Sequence, residues 1–181
     1  EHLSFTVKTL ERCGVSAIVI EDKTGSKKNS LFENQKKVKQ ESIKNFCNKI
    51  KIATKSKISN DFMVIARIES FILGKSLNDA IKRAETYSKA GADAILIYSK
   101  EKTSKEIFSF SKKFKKSNYF KPMVTVLSTC SKTTEKKLNK NGFKIVIYTN
   151  HLLRASYPAM LNTAKLILKT QKGFSPMKKL I

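Results

Sequence analysis

The sequence predicts an α/β protein in which short buried strands alternate with amphipathic helices. Five short apolar runs are spread along the chain, and each is apolar on successive residues, as expected for a strand buried on both faces. The segments between these runs space their apolar residues as one face of a helix does. Because strands that alternate with helices pair in parallel through helical crossovers, we expect a parallel sheet.

Three of the predicted strands follow a helix that ends at a glycine. Gly14, Gly91 and Gly142 each fit the C-cap of such a helix, where a residue that tolerates positive φ is favoured. Two further apolar runs lack the glycine but also end in polar residues. The predicted strands are 17–21, 62–68, 93–98, 122–127 and 144–149.

The predicted helices cover about 40–53, 76–90, 104–116, 133–140 and 155–170. In the helix at 104–116, the spacing predicts that Phe110 and Phe114 face inward. The segment 24–39, which follows the first strand, is polar and rich in lysine. It has the length of an active-site lid.

The composition excludes several classes of protein. The 40% of hydrophobic residues, with 11 Phe, excludes a disordered basic tail. No apolar run approaches the roughly 20 residues of a membrane span. Cys13, Cys47 and Cys130 are too widely spaced to indicate a disulfide framework or a zinc site. We therefore expect a cytoplasmic protein with no membrane partner.

The net charge of +23 favours a lysine-coated surface over a recognition site. Arginine occurs only at positions 12, 67, 83 and 154, and every other basic side chain is lysine. Specific recognition of phosphates and bases favours arginine, because its planar fork binds two acceptors at once. Nucleic acid is therefore not the expected partner, and a non-catalytic basic chain that binds polyanions is kept as an alternative.

Polar side chains follow most of the predicted strands. Two architectures fit the alternation, an open doubly wound sheet and a (β/α)8 barrel, and in both of them ligands bind at the carboxyl ends of the strands. No GxGxxG or GxxxxGK[ST] motif follows a strand, which argues against the nucleotide-binding open sheets. A carboxylate cluster, a guanidinium and hydroxyls suit a small anionic substrate with a hard cation such as Mg2+. The residues at the strand ends are Glu21, Asp22, Lys23, Arg67, Glu69, Tyr98, Ser99, Ser128, Thr129, Asn150 and His151.

At these residues the sequence resembles the phosphoenolpyruvate mutase family, within the isocitrate lyase/phosphoenolpyruvate mutase superfamily. The resemblance runs essentially end to end. The carbon–carbon lyases of that superfamily have Cys-Gly where this chain has Asn29-Ser30, which disfavours an isocitrate or methylisocitrate lyase. The segments that carry the resemblance are 14–23, 27–31, 65–70, 90–94, 150–155 and 157–160.

The resemblance implies a partial (β/α)8 TIM barrel. Residues 1–181 would form the last five strands and their helices, after three strands that this chain lacks, and 24–39 would be the lid. The implied reaction interconverts phosphoenolpyruvate and phosphonopyruvate, which makes a carbon–phosphorus bond for phosphonate biosynthesis. Phosphonopyruvate hydrolase is the alternative within the superfamily. Relatives are homotetramers, so a homo-oligomer is expected.

The resemblance also assigns roles to residues at the strand ends and in the lid. Tyr98 stands where the family has His, and Ser128 follows Val126-Leu127 where the family has Val-Pro-Thr. Glu21 would contact Mg2+ through water, with direct Asp ligands in the missing N-terminal part. The implied catalytic residues are Lys27, Asn29, Ser30 and Tyr98, the substrate-binding residues are Arg67, Asn29, Ser99 and Ser128, and the orienting residues are Asp22, Lys23 and Glu69.

Overall fold

The computed structural model describes residues 1–25, 38–127 and 132–172. Helices and strands alternate along the chain, as the sequence predicts. The elements are α1 (His2–Arg12), β1 (Ala17–Glu21), β2 (Lys23–Thr24), β3 (Lys39–Gln40), α2 (Ile43–Ser56), β4 (Met63–Ile68), α3 (Leu77–Lys89), β5 (Ala94–Ile97), α4 (Lys105–Phe114), β6 (Met123–Val126), α5 (Glu135–Lys140), β7 (Phe143–Ile147) and α6 (His151–Thr170).

Five strands form one parallel sheet in the order β1-β4-β5-β6-β7, which confirms the predicted strands to within two residues at each end. The register pairs Glu21 with Arg67 and Ile68 with Ile97, so the carboxyl ends of β1, β4 and β5 lie side by side. Strands β2 and β3 pair antiparallel as a separate short ribbon.

Two predicted helices begin elsewhere. The start predicted at residue 40 was wrong because Lys39 and Gln40 pair with β2, and α2 begins only after Ser42, whose hydroxyl accepts a hydrogen bond from Asn45 N at 3.2 Å. The start predicted at residue 155 was late, because Leu152 and Leu153 continue the helical pattern and α6 begins at His151.

Buried side chains form clusters on both faces of the sheet. The largest cluster joins Ile68, Ile95 and Ile97 to helix side chains that include the predicted inward pair Phe110 and Phe114, each fully buried. A second cluster gathers sheet residues that alternate with the first set, and these are Ile65, Ala94, Leu96, Tyr98 and Val124, with Ile72. Alternation along each strand therefore divides the sheet into two apolar faces.

The chain divides into two compact units, Glu1–Ile147 and Tyr148–Ile181, of which the second is described to residue 172. Helix α6 lies in the second unit and leaves large apolar side chains exposed, among them Leu152, Tyr157, Met160 and Leu168. Within the described ranges, no helix is long and apolar enough to cross a membrane.

The glycine that ends α3 is required by both its backbone and its surroundings. Gly91 has φ +112, and a Cβ there would lie 3.3 Å from Thr54 Oγ1. Gly74 has φ +70 but has open space around it. We expect Gly91→Ala to lower the free energy of unfolding by about 2–3 kcal/mol and Gly74→Ala by about 1 kcal/mol. Urea unfolding of both variants measures the difference, and equal losses would contradict the crowding at Thr54.

Candidate active site

The site is built where β1, β4 and β5 end, and Arg67 lies at its centre. Its Nε donates to Glu69 Oε1 at 2.7 Å, and its Nη2 donates to Tyr98 Oη at 2.6 Å. Its Nη2 also lies 3.5 Å from Glu21 Oε2, and its guanidinium carbon lies 4.8 Å from the centre of the Tyr98 ring. The structure therefore brings together four residues that the sequence selected from three strand ends.

The guanidinium of Arg67 is held in its charged form. Burial opposes the charge, but the carboxylates of Glu69 and Glu21 and the Tyr98 hydroxyl outweigh this effect and raise the pKa of Arg67 above its ordinary value. The carboxyl ends of β1, β4 and β5, with Glu21, Arg67, Glu69 and Tyr98, are called the rim below, and about a quarter of the Arg67 side chain (24%) is exposed there. The arrangement offers a fixed cation to an anionic ligand at the ends of the strands.

Glu69 fixes the direction of the Arg67 side chain. The Glu69 side chain is fully buried, and its two oxygens face different cations. Oε1 accepts from Arg67, and Oε2 lies 3.9 Å from the Nζ atom of Lys23, whose side chain is 2% exposed. A buried carboxylate between two cations costs less than one left unpaired, so this triad is an oriented unit.

Asp22 lies behind the rim and, like Glu69, is fully buried. Its Oδ1 accepts from Glu69 N at 2.9 Å, and its Oδ2 accepts from Gln40 Nε2 at 2.8 Å, Tyr87 Oη at 2.7 Å and Arg83 Nη1 at 3.1 Å. Both carboxylate oxygens thus accept hydrogen bonds from protein donors, as a buried carboxylate requires. In this structure the Asp22 carboxylate holds together side chains and backbone from β3, α3 and the end of β4.

Burial raises the pKa of Asp22, while the hydrogen bonds from Glu69 N and Tyr87 and the charge of Arg83 oppose that rise. Burial and the neighbouring Asp22 also raise the pKa of the Tyr87 phenol, which keeps its proton. Since Arg83 Nη1 donates to Tyr87 Oη at 2.7 Å, the phenol proton is directed to Asp22. Every partner of the Asp22 carboxylate is thus a donor, as its ionised form requires.

Ser99 lies at the end of β5 but is turned into the scaffold. It is 2% exposed, its hydroxyl donates to the Glu106 carboxylate, and it accepts from Glu101 N at 2.9 Å. These contacts favour a role in holding the loop between β5 and α4 over the implied contact with substrate. The other implied ligands Lys27, Asn29, Ser30 and Ser128 lie outside the described residues.

The described carboxylates do not build a direct metal site. Across residues 1–25, 38–127 and 132–172, no group of three or more His, Cys, Asp or Glu side chains could hold a metal ion. Asp22 accepts four hydrogen bonds from protein donors, and Glu69 contacts Arg67 and Lys23. Glu21 is 22% exposed at the rim, a position from which a carboxylate can reach a hydrated cation through water.

Sequence reasoning missed the side chains that surround Asp22 from helix α3 and strand β3. Arg83 and Tyr87 were not selected because they lie inside a helix, remote in sequence from any strand end. A signal did exist. Asp79, Arg83 and Tyr87 follow each other at intervals of four, which places three polar groups on one helix face beside the buried Ala80 and Ala84.

The known proteins that this chain resembles point to one family. A family model described as phosphoenolpyruvate phosphomutase matches residues 1–168. The phosphoenolpyruvate phosphomutase of Tetrahymena pyriformis is 37% identical over 165 residues, which are 91% of this chain and 54% of the relative. The phosphonopyruvate hydrolase of Variovorax sp. (strain Pal2) is 40% identical over 164 residues, which are 88% of this chain and 54% of the relative.

Solved structures of the same two kinds of enzyme also match this chain. The crystal structure of phosphoenolpyruvate phosphomutase from Streptomyces platensis subsp. rosaceus matches with a TM-score of 0.89 and 34% identity, over 98% of this chain and 60% of that one. Phosphonopyruvate hydrolase in complex with oxalate and Mg++ matches with a TM-score of 0.84 and 34% identity, over 99% and 59%. The chain spans about half the length of the curated relatives it matches. Its parallel sheet is part of a (β/α)8 barrel, as predicted.

Proposed function

Because the chain belongs to the phosphoenolpyruvate phosphomutase family, we propose that it supplies part of an active site that interconverts phosphoenolpyruvate and phosphonopyruvate. The observation that carries the proposal is Arg67, which is held as a cation at the end of β4 by Glu69, Tyr98 and Glu21. A fixed guanidinium at this position suits the carboxylate that both compounds share.

The reaction moves a phosphoryl group within one molecule. The bond between phosphorus and the enol oxygen breaks, a bond between phosphorus and the methylene carbon forms, and no atom is gained or lost. The pyruvate enolate must keep its place during the transfer, and water must be excluded. Arg67 would anchor the carboxylate, and Tyr98, one strand away and in contact with Arg67, would donate a hydrogen bond to the enolate oxygen.

We extend the proposal to Mg2+, which in this chemistry would neutralise charge on the enolate and the phosphoryl oxygens. Glu21 would contact the hydrated ion through water, in line with its exposure at the rim. The ligands that bind the ion directly would come from sequence equivalent to the part of the relatives that lies beyond the match. The solved hydrolase that holds oxalate and Mg++ supports this assignment.

Residues 24–39 are proposed as the lid, with Lys27, Asn29 and Ser30 near the phosphoryl group and Ser128 as a further contact. Of this segment, 26–37 lie outside the described residues, as Ser128 does. The described ends of the segment support the proposal, since Thr24 and Lys39 pair in the β2–β3 ribbon directly beside Asp22. We also propose that the protein acts as a homo-oligomer, which light scattering would test.

The alternative is phosphonopyruvate hydrolysis, which the 40% identity to the Variovorax enzyme favours. Both reactions need the same carboxylate anchor, and they differ in whether water or the enolate oxygen captures the phosphoryl group. The rim would serve either reaction. The Asn29-Ser30 pair in the lid favours the mutase.

The experiment is a phosphonopyruvate assay with Mg2+, followed by phosphorus NMR. The chain is assayed alone and with an added segment equivalent to the first part of a relative. Phosphoenolpyruvate as product supports the mutase, and pyruvate with inorganic phosphate supports the hydrolase. Absence of both products from a folded and supplemented sample would overturn the proposed activity. Binding to DNA that weakens steeply with salt would then favour the polyanion alternative.

Tyr98→Phe is expected to lower kcat by about 10–100-fold, because it removes one hydrogen-bond donor from the proposed enolate site. Steady-state kinetics measure the effect. The family places His at this position, so Tyr98→His is expected to recover most of the activity. Tyr119→Phe is the matched control, since Tyr119 is exposed and lies before the amino end of β6, whereas the site lies at the carboxyl ends of the strands. Full activity of Tyr98→Phe would contradict the role of the hydroxyl.

A further inference from the structure

Helix α3 carries two buried polar side chains, Arg83 and Tyr87, that contact Asp22 behind the rim. Arg83 is 5% exposed, and Tyr87 is fully buried against Phe46, with ring centres 4.6 Å apart. Arg83 Nε donates to Asp79 Oδ2 at 3.0 Å, and its Nη1 donates to Glu41 O at 3.0 Å. The guanidinium is therefore fixed by partners on α3 and on the segment that follows β3.

These two side chains hold Asp22 from one side. Tyr87 Oη and Arg83 Nη1 both donate to Asp22 Oδ2, at 2.7 Å and 3.1 Å, and Arg83 also donates to Tyr87. Each of the three groups thus contacts the other two. Because all three are buried, none of these hydrogen bonds competes with bulk water, and the geometry of the triad is strongly determined.

Asp22 also makes two hydrogen bonds to the backbone at the end of strand β4. Asp22 N donates to Arg67 O at 3.1 Å, and Asp22 Oδ1 accepts from Glu69 N at 2.9 Å. The second bond matters because β4 ends at Ile68, so sheet pairing no longer fixes the backbone at Glu69. The Asp22 carboxylate takes the place of a neighbouring strand there.

We propose that Arg83 and Tyr87 are positioning residues, which hold the guanidinium of Arg67 in its orientation through Asp22 and Glu69. The path runs from Tyr87 Oη to Asp22 Oδ2, from Asp22 Oδ1 to Glu69 N, and from Glu69 Oε1 to Arg67 Nε. Each step is a hydrogen bond between buried or partly buried groups. The catalytic significance of this path rests on the proposed function, whereas the coupling itself does not.

The test uses Tyr87→Phe in the 181-residue chain, because this change removes one oxygen and keeps the ring packed on Phe46. The chain has only four arginines, so the NMR spectrum of a ¹⁵N-labelled sample contains at most four Nε–H signals. Hydrogen exchange of the Arg67 Nε–H reports the bond to Glu69 directly. The spectrum of Arg67→Lys identifies that signal by its loss.

We expect Tyr87→Phe to speed exchange of the Arg67 Nε–H by about tenfold or more, since loosening the anchor of Glu69 opens the bond locally. The amide of Ile95, which donates to Pro122 O within the sheet, should change by less than about twofold, as it opens only with the core. Tyr119→Phe, which alters an exposed tyrosine, should change neither signal.

Two results would overturn the proposal. One is unchanged exchange of the Arg67 Nε–H in Tyr87→Phe, and the other is an equal acceleration at Arg67 and Ile95, which would mean that Tyr87 only stabilises the fold. If Tyr87→Phe does not fold, Asp79→Asn replaces it and is judged by the same two signals. Asp79 is 27% exposed, and the change weakens the hold on Arg83 without removing a buried group.

Kinetics separate this proposal from the proposed function. In an active preparation, Tyr87→Phe should raise KM for phosphonopyruvate and lower kcat/KM by about tenfold, because a loosened Arg67 binds the carboxylate less well. Unaltered kcat/KM would overturn the catalytic significance of the path. A wild type that shows the exchange pattern but stays inactive when supplemented with the added segment would overturn the proposed function alone and leave the coupling intact.

Discussion

Arg67→Lys is expected to lower kcat/KM for phosphonopyruvate by about 10²–10³-fold, the range found when a donor aimed at a reacting anion is removed. The guanidinium satisfies Glu69 through Nε and Tyr98 through Nη2 while a quarter of the side chain stays exposed at the rim. An ammonium group is a point charge without a planar fork, so it cannot hold both partners and a carboxylate in the same geometry.

The Arg67 effect is measured by steady-state kinetics and by titration of oxalate in the presence of Mg2+. Arg12→Lys is the control, because Arg12 lies exposed in the last turn of α1. Both measurements should be unchanged in that variant. If Arg67→Lys keeps kcat/KM within about threefold of the wild type, the carboxylate is bound elsewhere, and the proposed role of the rim is wrong.

Arg83→Met is expected to lower the free energy of unfolding by about 3–5 kcal/mol, because it leaves a buried carboxylate without its cation. Asp22 is fully buried, and Arg83 is its charged partner at 3.1 Å. In this variant the pKa of Asp22 should rise further, since burial alone already raises it and the opposing charge is gone. A loss of this size is a large part of the stability of a domain.

Urea unfolding of the 181-residue chain measures the Arg83 effect. Arg12→Met serves as the matched control and should change the unfolding free energy by less than about 0.5 kcal/mol, as for other exposed positions. The double variant Asp22→Asn/Arg83→Met should recover part of the loss, because the uncompensated charge is removed with its partner. A single variant within about 1 kcal/mol of the wild type would contradict a buried ion pair.

The fold was predictable because its strongest signals are local. Apolar runs such as 94–97 are buried on every residue, and the three glycines predicted to end helices have positive φ. The β2–β3 ribbon was not predicted, since Lys23–Thr24 and Lys39–Gln40 carry no apolar pattern. A backbone hydrogen bond from Glu41 N to Asp22 O at 2.8 Å flanks this pairing, and such long-range contacts leave no periodicity in the sequence.

The candidate site was predictable only in part. Strand ends gave Glu21, Arg67 and Tyr98, because parallel pairing brings those ends to one edge. Arg83 and Tyr87, the partners of Asp22 on α3, were not predicted. A helix residue becomes part of a site only through tertiary packing, which the local sequence pattern does not show. For Ser99 the sequence correctly predicted a position at the end of β5 but not the direction of the hydroxyl, which donates to Glu106.

The structure also explains where the chain uses arginine and where it uses lysine. Two of the four arginines, Arg67 and Arg83, lie in the buried network of the rim, where each donates to more than one partner. Many lysines lie exposed on helix surfaces, among them Lys105, Lys112 and Lys113. The chain thus uses arginine where fork geometry is required, and much of the net positive charge is solvated lysine.

The order β1-β4-β5-β6-β7 has a consequence for how the sheet assembles. Among the strands that the structure describes, and apart from the small ribbon, each strand pairs only with the sheet strands that come immediately before and after it in the chain. Each new strand can therefore dock on a surface that already exists, and no earlier pairing has to open to admit it. Such a sheet can grow at β1 or at β7 by whole strand–helix units, in the manner of a modular array whose contacts stay between neighbours.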